Sequence, residues 1–164
     1  MLPRFCGPIS GNKISNVFDA GIEGVNAVTN TTIADNTITN AIIAGISSYH
    51  CTAWQGNTMS GNRVSQSLSV MKAYVSIDVN CFSYPNPPSV GFFKDNVIAN
   101  NVLRNALGDS TFGLSLLFNA RASSAAGNLL QGNDVGGSGI ELQPISGFSD
   151  GGGNSCGPQG NFKC

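Results

Sequence analysis

The chain has 164 residues with only 9 acidic and 8 basic side chains, whereas Gly, Asn and Ser number 21, 19 and 19. An ordinary soluble domain is about one quarter charged, so this chain is poor in charge and rich in turn formers. The 41% apolar content excludes disorder. A net charge of −1 excludes nucleic acid and anionic membrane as electrostatic partners.

The chain opens without a recognisable targeting signal. Met1 to Pro8 carry one positive charge, at Arg4, and no apolar stretch follows, so the sequence predicts no signal peptide here. Every later apolar run is only a few residues long, which excludes a transmembrane helix. One domain of this length can bury a substantial core.

An internal repeat begins at Ile9. Five segments share the form apolar-x-x-Asn-x-apolar, in which Gly, Asp or Asn precedes the Asn. They are Ile9-Ser-Gly-Asn12-Lys-Ile14, Ile33-Ala-Asp-Asn36-Thr-Ile38, Met59-Ser-Gly-Asn62-Arg-Val64, Ile98-Ala-Asn-Asn101-Val-Leu103 and Leu130-Gln-Gly-Asn133-Asp-Val135. A second Asn lies five residues earlier in three copies, at Asn57, Asn96 and Asn128.

The spacing within each copy predicts two short strands joined by a sharp bend. Gly, Asn and Asp tolerate the left-handed backbone conformation that such a bend requires. An Asn that recurs at the same bend can hydrogen-bond to its copies on either side, so we predict a ladder of the five repeat Asn residues. A helix does not fit, because no apolar stripe of 3.6-residue period persists.

Successive repeat Asn residues are separated in the sequence by 24, 26, 39 and 32 residues. Such separations are typical of a solenoid with inserted loops. The clearest insertion is 80–89, whose three prolines cannot join a ladder. We predict an all-β, right-handed parallel β-helix of about five coils with three short parallel sheets. It is a single domain spanning 1–164, with coils at roughly 9–142 and an irregular, flexible Gly-rich tail at 146–164.

A short apolar strand follows each repeat, usually opened by Gly, as in Gly21-Ile22, Gly45-Ile46, Gly113-Leu114 and Gly139-Ile140. For the third copy, we align Val75-Ser-Ile77-Asp-Val79 with Leu114-Ser-Leu116-Leu-Phe118. This alignment predicts one outward row of side chains, formed by Glu23, Ser47, Ser76, Ser115 and Glu141. Its two glutamates would lie about 19 Å apart, too far for the carboxylate pair of a glycoside hydrolase.

The repeats resemble those of the pectate-lyase-like superfamily, which also occur in the NosD-like and carbohydrate-binding sugar-hydrolase group. Segments such as Ile33-Ala-Asp-Asn-Thr-Ile-Thr-Asn40, followed by Gly45-Ile46, carry the resemblance, which covers roughly residues 9–142. It implies a right-handed coil of three parallel sheets, a secreted, periplasmic or cell-surface location, and action on polysaccharide or adhesion to it. The competing expectation is a non-catalytic structural or adhesive solenoid, as in a surface or phage-fibre protein.

Candidate chemistry is sparse. Asp78 projects outward two residues beyond the predicted row, where Lys72 could reach it as an acid–base pair suited to a uronic acid or as an ordinary surface ion pair. Tyr49, His50, Trp54 and Tyr84 could form a sugar-stacking surface, although a lone His after a strand is more often a loop residue. Arg121 has no acidic partners in the predicted alignment. No metal site and no cofactor are expected.

The five cysteines show no zinc-ligand spacing. They are Cys6, Cys51, Cys81, Cys156 and Cys164. Disulfides in an oxidising compartment and buried thiols both remain open. Cys156 and Cys164 could close a small loop, and Cys51 and Cys81 could bond across adjacent coils.

No amphipathic segment precedes Ile9 to cap the first coil. A solenoid exposes open strand edges unless a helix or loop covers them. We therefore expect the chain to be the C-terminal part of a longer β-helix, or to make end-to-end or homo-oligomeric contacts through uncapped coils.

Overall fold

The structure is a computed structural model that describes residues 7–66, 77–81, 91–105 and 116–164. Within these ranges the regular elements are β-strands, apart from a short 3-10 turn at Ile145–Gly147. The strands form three sheets, and every strand pair in them is parallel. The prediction of an all-β chain with parallel sheets is confirmed.

Short strands of two to five residues build the first two sheets. The first sheet consists of β1 (Ile9–Ser10), β4 (Thr32–Ala34), β7 (Thr58–Ser60), β11 (Val97–Ala99), β15 (Asn128–Gln131) and β17 (Phe148–Asp150), in that order. The second consists of β2 (Lys13–Val17), β5 (Thr37–Ala41), β8 (Arg63–Gln66) and β12 (Val102–Asn105), also in chain order.

The third sheet contains the longest strands. Its members are β3 (Ile22–Thr29), β6 (Ile46–Gln55), β9 (Ile77–Cys81), β10 (Phe92–Lys94), β13 (Leu116–Ala122), β14 (Ser124–Ala126) and β16 (Gly139–Gln143). The chain passes from the first sheet to the second and then to the third before it returns to the first. Each passage therefore adds one layer of strands, and equivalent repeat positions lie side by side in neighbouring layers.

All three sheets contribute apolar side chains to one core. Ile33 from the first sheet, Ile38 from the second and Ile46 from the third belong to the same buried cluster. Alternate residues of each strand point into this core, because successive side chains of a strand face opposite sides. In β9, for example, Ile77 and Val79 are buried and Asp78 between them faces outward.

The five repeat Asn residues form the predicted ladder. Each uses its backbone N–H and its side-chain Nδ2 to donate to the Oδ1 of the Asn in the next layer. The series runs from Asn12 through Asn36, Asn62, Asn101 and Asn133 to a sixth member, Asn154. The amide groups of the four buried members, Asn36, Asn62, Asn101 and Asn133, are thereby paired inside the stack.

A second ladder lies at the bend between the third and first sheets. Asn57 donates to the Oδ1 of Asn96, and Asn96 donates to that of Asn128, with N···O distances from 2.9 to 3.1 Å. The backbone N–H of Thr31 begins the series by donating to the Oδ1 of Asn57. The earlier Asn of these three repeats therefore has the same structural role as the later one.

The bends before the ladders alternate between Gly and Asn or Asp from layer to layer. All of these residues have positive φ, as the repeat pattern predicts. Before the second sheet the stacked positions are Gly11, Asp35, Gly61, Asn100 and Gly132, and before the first sheet they are Asn30, Gly56, Asp95 and Gly127. The alternation has a steric cause: a Cβ on Gly61 would overlap the Oδ1 of Asp35.

The Gly-rich segment after residue 142 continues the strand pairing of the stack. Strand β17 pairs with β15, and Ser155 bridges to Asp134 in line with the second sheet. Phe162 is buried in the core beside Ile140. A disulfide joins Cys156 to Cys164.

The predicted alignment of the third sheet is also wrong. Ile77, rather than Val75, pairs with Ile46, and Phe118 pairs with both Ile77 and Ile140. The predicted alignment is displaced by two residues at β9 and by four residues at β13. An even shift leaves every side chain on its proper face, so hydrophobic alternation could not reveal it.

Candidate functional site

One row of outward positions crosses the third sheet from edge to edge. The Cα partners along it are Glu23, Ser47, Asp78, Asn119 and Glu141. Asp78 and Asn119 therefore occupy the positions that the sequence alignment gave to Ser76 and Ser115, two residues that lie outside the described part of the chain. The correction moves Asp78 into the row and brings it near other charges.

The corrected register brings Asp78 close enough to Glu141 for their charges to interact. Asp78 and Glu141 are two strand steps apart in the sheet, which corresponds to about 10 Å at the usual spacing of 4.8 Å. Glu23 and Glu141 remain four steps apart, as expected from the sequence.

Arg121 lies beside Asp78 and Glu141, and the three side chains form one charged cluster. It lies two residues beyond Asn119 on β13, on the same outward face, because Ala120 and Ala122 on either side of it are buried. Its Nη2 lies 3.5 Å from the Oε1 of Glu141, and its charge also acts on Asp78. The expectation that Arg121 lacks acidic partners is therefore wrong.

Three polar atoms in this cluster are buried and have no hydrogen-bond partner among the described residues. They are the Oγ of Ser47, the Oδ1 of Asp78 and the Nε of Arg121. Ser47 is only 5% exposed although it faces away from the core. Buried polar groups are nearly always paired, so these three unpaired atoms set this part of the outer face apart.

The ionisation of Asp78 reflects this environment. Burial raises the pKa of Asp78 above its ordinary value of 3.8. The positive charge of Arg121 lowers the pKa, and the negative charge of Glu141 raises it further. The Asp78 carboxyl therefore holds its proton to higher pH than an exposed aspartate does.

Trp54 does not belong to an exposed aromatic surface around His50. Trp54 has no exposed surface and packs in the core, with its ring 6.4 Å from that of Phe93. It therefore cannot stack on a sugar. The backbone of Tyr49 and His50 lies in β6, but their side chains are not among those described, and Lys72 and Tyr84 lie outside the described residues.

His50 does occupy an unusual backbone position. Tyr49 pairs with Val25, and Ala53 pairs with Ala27, so that three β6 residues stand opposite the single β3 residue Asn26. Bulges of this kind bend a strand and redirect its side chains. Asn26 has a positive φ, which Asn tolerates better than most residues.

The structure describes the pairing of only two of the five cysteines. Cys156 and Cys164 form the small loop considered from the sequence. Cys6 and the side chains of Cys51 and Cys81 are outside the described part of the structure, so the proposed bond between the last two stays a prediction. Among the described residues, no group of three or more His, Cys, Asp or Glu side chains could hold a metal ion.

No protein-family model, curated protein or solved structure matches the chain. Within the described residues no helix is long and apolar enough to cross a membrane. The functional argument therefore depends on the Asp78, Arg121 and Glu141 cluster itself.

Proposed function

We propose that the chain is a right-handed parallel β-helix that binds polysaccharide on the outer face of its third sheet. The three-sheet rotation and the two Asn ladders support the architecture. The unpaired buried atoms of Ser47, Asp78 and Arg121 carry the functional proposal. A sugar offers hydroxyl groups that both donate and accept, so it can satisfy a serine oxygen, a carboxyl oxygen and a guanidinium N–H together.

The same cluster supports a processing reaction. Asp78 is the proton donor to the glycosidic oxygen, because burial favours its protonated form. Glu141, ion-paired with Arg121, is the base that activates a water molecule. The backbone positions of the two residues lie about 10 Å apart, just above the range of roughly 6.5 to 9.5 Å between carboxyl groups for hydrolysis with inversion, so the side chains would have to lean toward each other.

A glycan array tests the proposal, followed by assays for new reducing ends and for unsaturated uronates. We expect the wild-type chain to bind at least one polysaccharide, and Arg121→Met to weaken that binding about tenfold or more, since hydrogen bonds to a charged group contribute roughly 1.5–3 kcal/mol. Arg104→Met is the matched control, because Arg104 is paired with Asp134 on the second sheet, away from the cluster. Equal binding by wild type and Arg121→Met would exclude this site.

A structural or adhesive solenoid without chemistry is the second candidate. Parts of the outer faces of the first and second sheets favour it, because stacked positions there carry small neutral side chains. These include Thr32 with Thr58, Ala34 with Ser60, and Thr39 with Ser65. Absence of binding on the array, together with adhesion to a whole surface that survives Arg121→Met, would favour this candidate.

The disulfide between Cys156 and Cys164 supports a secreted, periplasmic or cell-surface location, because disulfides persist in oxidising compartments. Intact-mass measurement of the protein from its native source, without reductant, tests this. Two alkylatable thiols at these positions would contradict it.

A further inference from the structure

The outward row on the third sheet is acidic. The five strands that form it, β3, β6, β9, β13 and β16, carry three carboxyl groups, at Glu23, Asp78 and Glu141, and all three belong to the row. Within the same strands Arg121 is the one lysine or arginine. Asp78 lies two strand steps from each glutamate, or about 10 Å at the usual spacing. A ligand on this row therefore meets more negative than positive charge from the strands beneath it.

Glu141 balances the charge of Arg121. The Nη2 of Arg121 lies 3.5 Å from the Oε1 of Glu141, and the two side chains are 36% and 28% exposed. A ligand carboxylate placed against Arg121 would lie beside Glu141 as well, so that repulsion by the glutamate would offset attraction by the guanidinium. A neutral hydroxyl group meets no such repulsion, and its oxygen can accept a hydrogen bond from the Nε–H of Arg121, which has no partner among the described residues.

The other unpaired atoms in the row also suit a neutral ligand. Ser47 is 5% exposed, its Oγ lacks a hydrogen-bond partner among the described residues, and Asp78 is its neighbour on the next strand. Burial raises the pKa of Asp78, which favours the protonated carboxyl. A protonated carboxyl donates to a hydroxyl oxygen, and a serine hydroxyl both donates and accepts. Both groups can therefore pair with sugar hydroxyls without requiring charge on the ligand.

We infer that Glu141 determines the ligand specificity of the row, because it neutralises Arg121 and thereby favours neutral sugars over uronic acids. This specificity rests on the proposed polysaccharide binding and adds the charge class of the sugar. A uronic acid has the ring of the corresponding hexose but carries a carboxylate in place of the hydroxymethyl group, so charge rather than shape separates the two. Without the carboxylate of Glu141, Arg121 is free to bind a uronate through two parallel N–H···O bonds.

Paired oligosaccharides on the glycan array test this specificity at low salt. The pairs are cello-oligosaccharide with oligoglucuronate, manno-oligosaccharide with oligomannuronate, and methyl-esterified with free oligogalacturonate. We expect the wild type to bind the neutral member of a recognised pair about fivefold or more tightly than the uronate member. Glu141→Gln should raise the affinity for the uronate member about fivefold, the effect of removing one unit charge about 4 Å away in water, and added salt should abolish the gain.

Asp134→Asn is the matched control, because it makes the same change in net charge and frees Arg104 on the second sheet. Adding Arg121→Met to Glu141→Gln should remove the gain in uronate affinity. Equal wild-type affinity for both members of a pair, no gain for Glu141→Gln, a gain that Asp134→Asn matches, or a gain that survives Arg121→Met would overturn the specificity and leave polysaccharide binding intact. Failure of the wild type to bind any sugar on the array would instead reject the proposed function and the specificity with it.

Discussion

Asn62 donates its backbone N–H and its side-chain Nδ2 to one oxygen, the Oδ1 of Asn101, at 3.1 and 2.9 Å. The other Nδ2 hydrogen goes to the carbonyl of Ile33 in the preceding layer, at 2.8 Å. One side chain thus links three consecutive layers in the interior. The ladder therefore connects neighbouring layers through buried amide groups as well as marking the repeat.

Asn62→Ala should destabilise the protein by about 2–5 kcal/mol, because it leaves the Asn36 donors and the Asn101 acceptor buried without partners. Urea unfolding followed by circular dichroism measures the change. Asn12→Ala is the matched control at the exposed end of the same ladder, and we expect a loss of no more than about 1 kcal/mol. Equal losses for the two variants would show that the buried Asn62 stabilises the protein no more than the exposed Asn12 does.

Gly61→Ala and Gly11→Ala separate backbone strain from steric overlap. Both residues have positive φ, at 63° and 68°, so each substitution costs about 1–2 kcal/mol in the left-handed region. A Cβ on Gly61 also overlaps Asp35, whereas one on Gly11 has no atom within 4 Å. We expect Gly61→Ala to lose more stability, and Asp35→Gly to recover part of that excess in a double-mutant cycle.

Asp78→Asn should raise the melting temperature at neutral pH. The pKa of Asp78 in the folded state lies above its ordinary value of 3.8. Its contribution to stability is therefore present below that value and lost as pH rises through the folded-state pKa. Since Asn does not ionise, its advantage over Asp should vanish in acid. Melting curves across this pH range would contradict the assignment if the advantage were constant.

Asp134→Asn should show the opposite pH dependence. The hydrogen bond from Arg104 holds the pKa of Asp134 below 3.8, with help from the backbone N–H of Gly136. Its contribution is present above the unfolded-state pKa and is lost as pH falls through the folded-state pKa. We expect Asp134→Asn to cost about 0.2–1 kcal/mol at neutral pH, as for other exposed pairs, and nothing in strong acid. The same melting series as for Asp78→Asn measures it.

The repeat could be predicted from the sequence because its chemistry is local. An Asn preceded by Gly, Asp or Asn and flanked by apolar residues specifies a left-handed bend between two short strands, and the positive φ values of Asp35 and Gly61 agree with it. The recurrence of that bend also predicts the parallel sheets and the main ladder. The second ladder, through Asn57, Asn96 and Asn128, corresponds to a spacing in the sequence that by itself predicts no role for these residues.

The cluster of Asp78, Arg121 and Glu141 can be located only in the tertiary structure. Low charge, many Asn and Gly, and the repeat together determined an all-β chain of stacked parallel layers, because each of those features acts within a few residues. The register of the long third-sheet strands was decided by packing across insertions of unequal length, where shifts of two or four residues keep the same hydrophobic pattern. Only that register brings Asp78, Arg121 and Glu141 together. In the same way, only tertiary packing turns the Gly-rich segment after residue 142 into the closing layer of the stack.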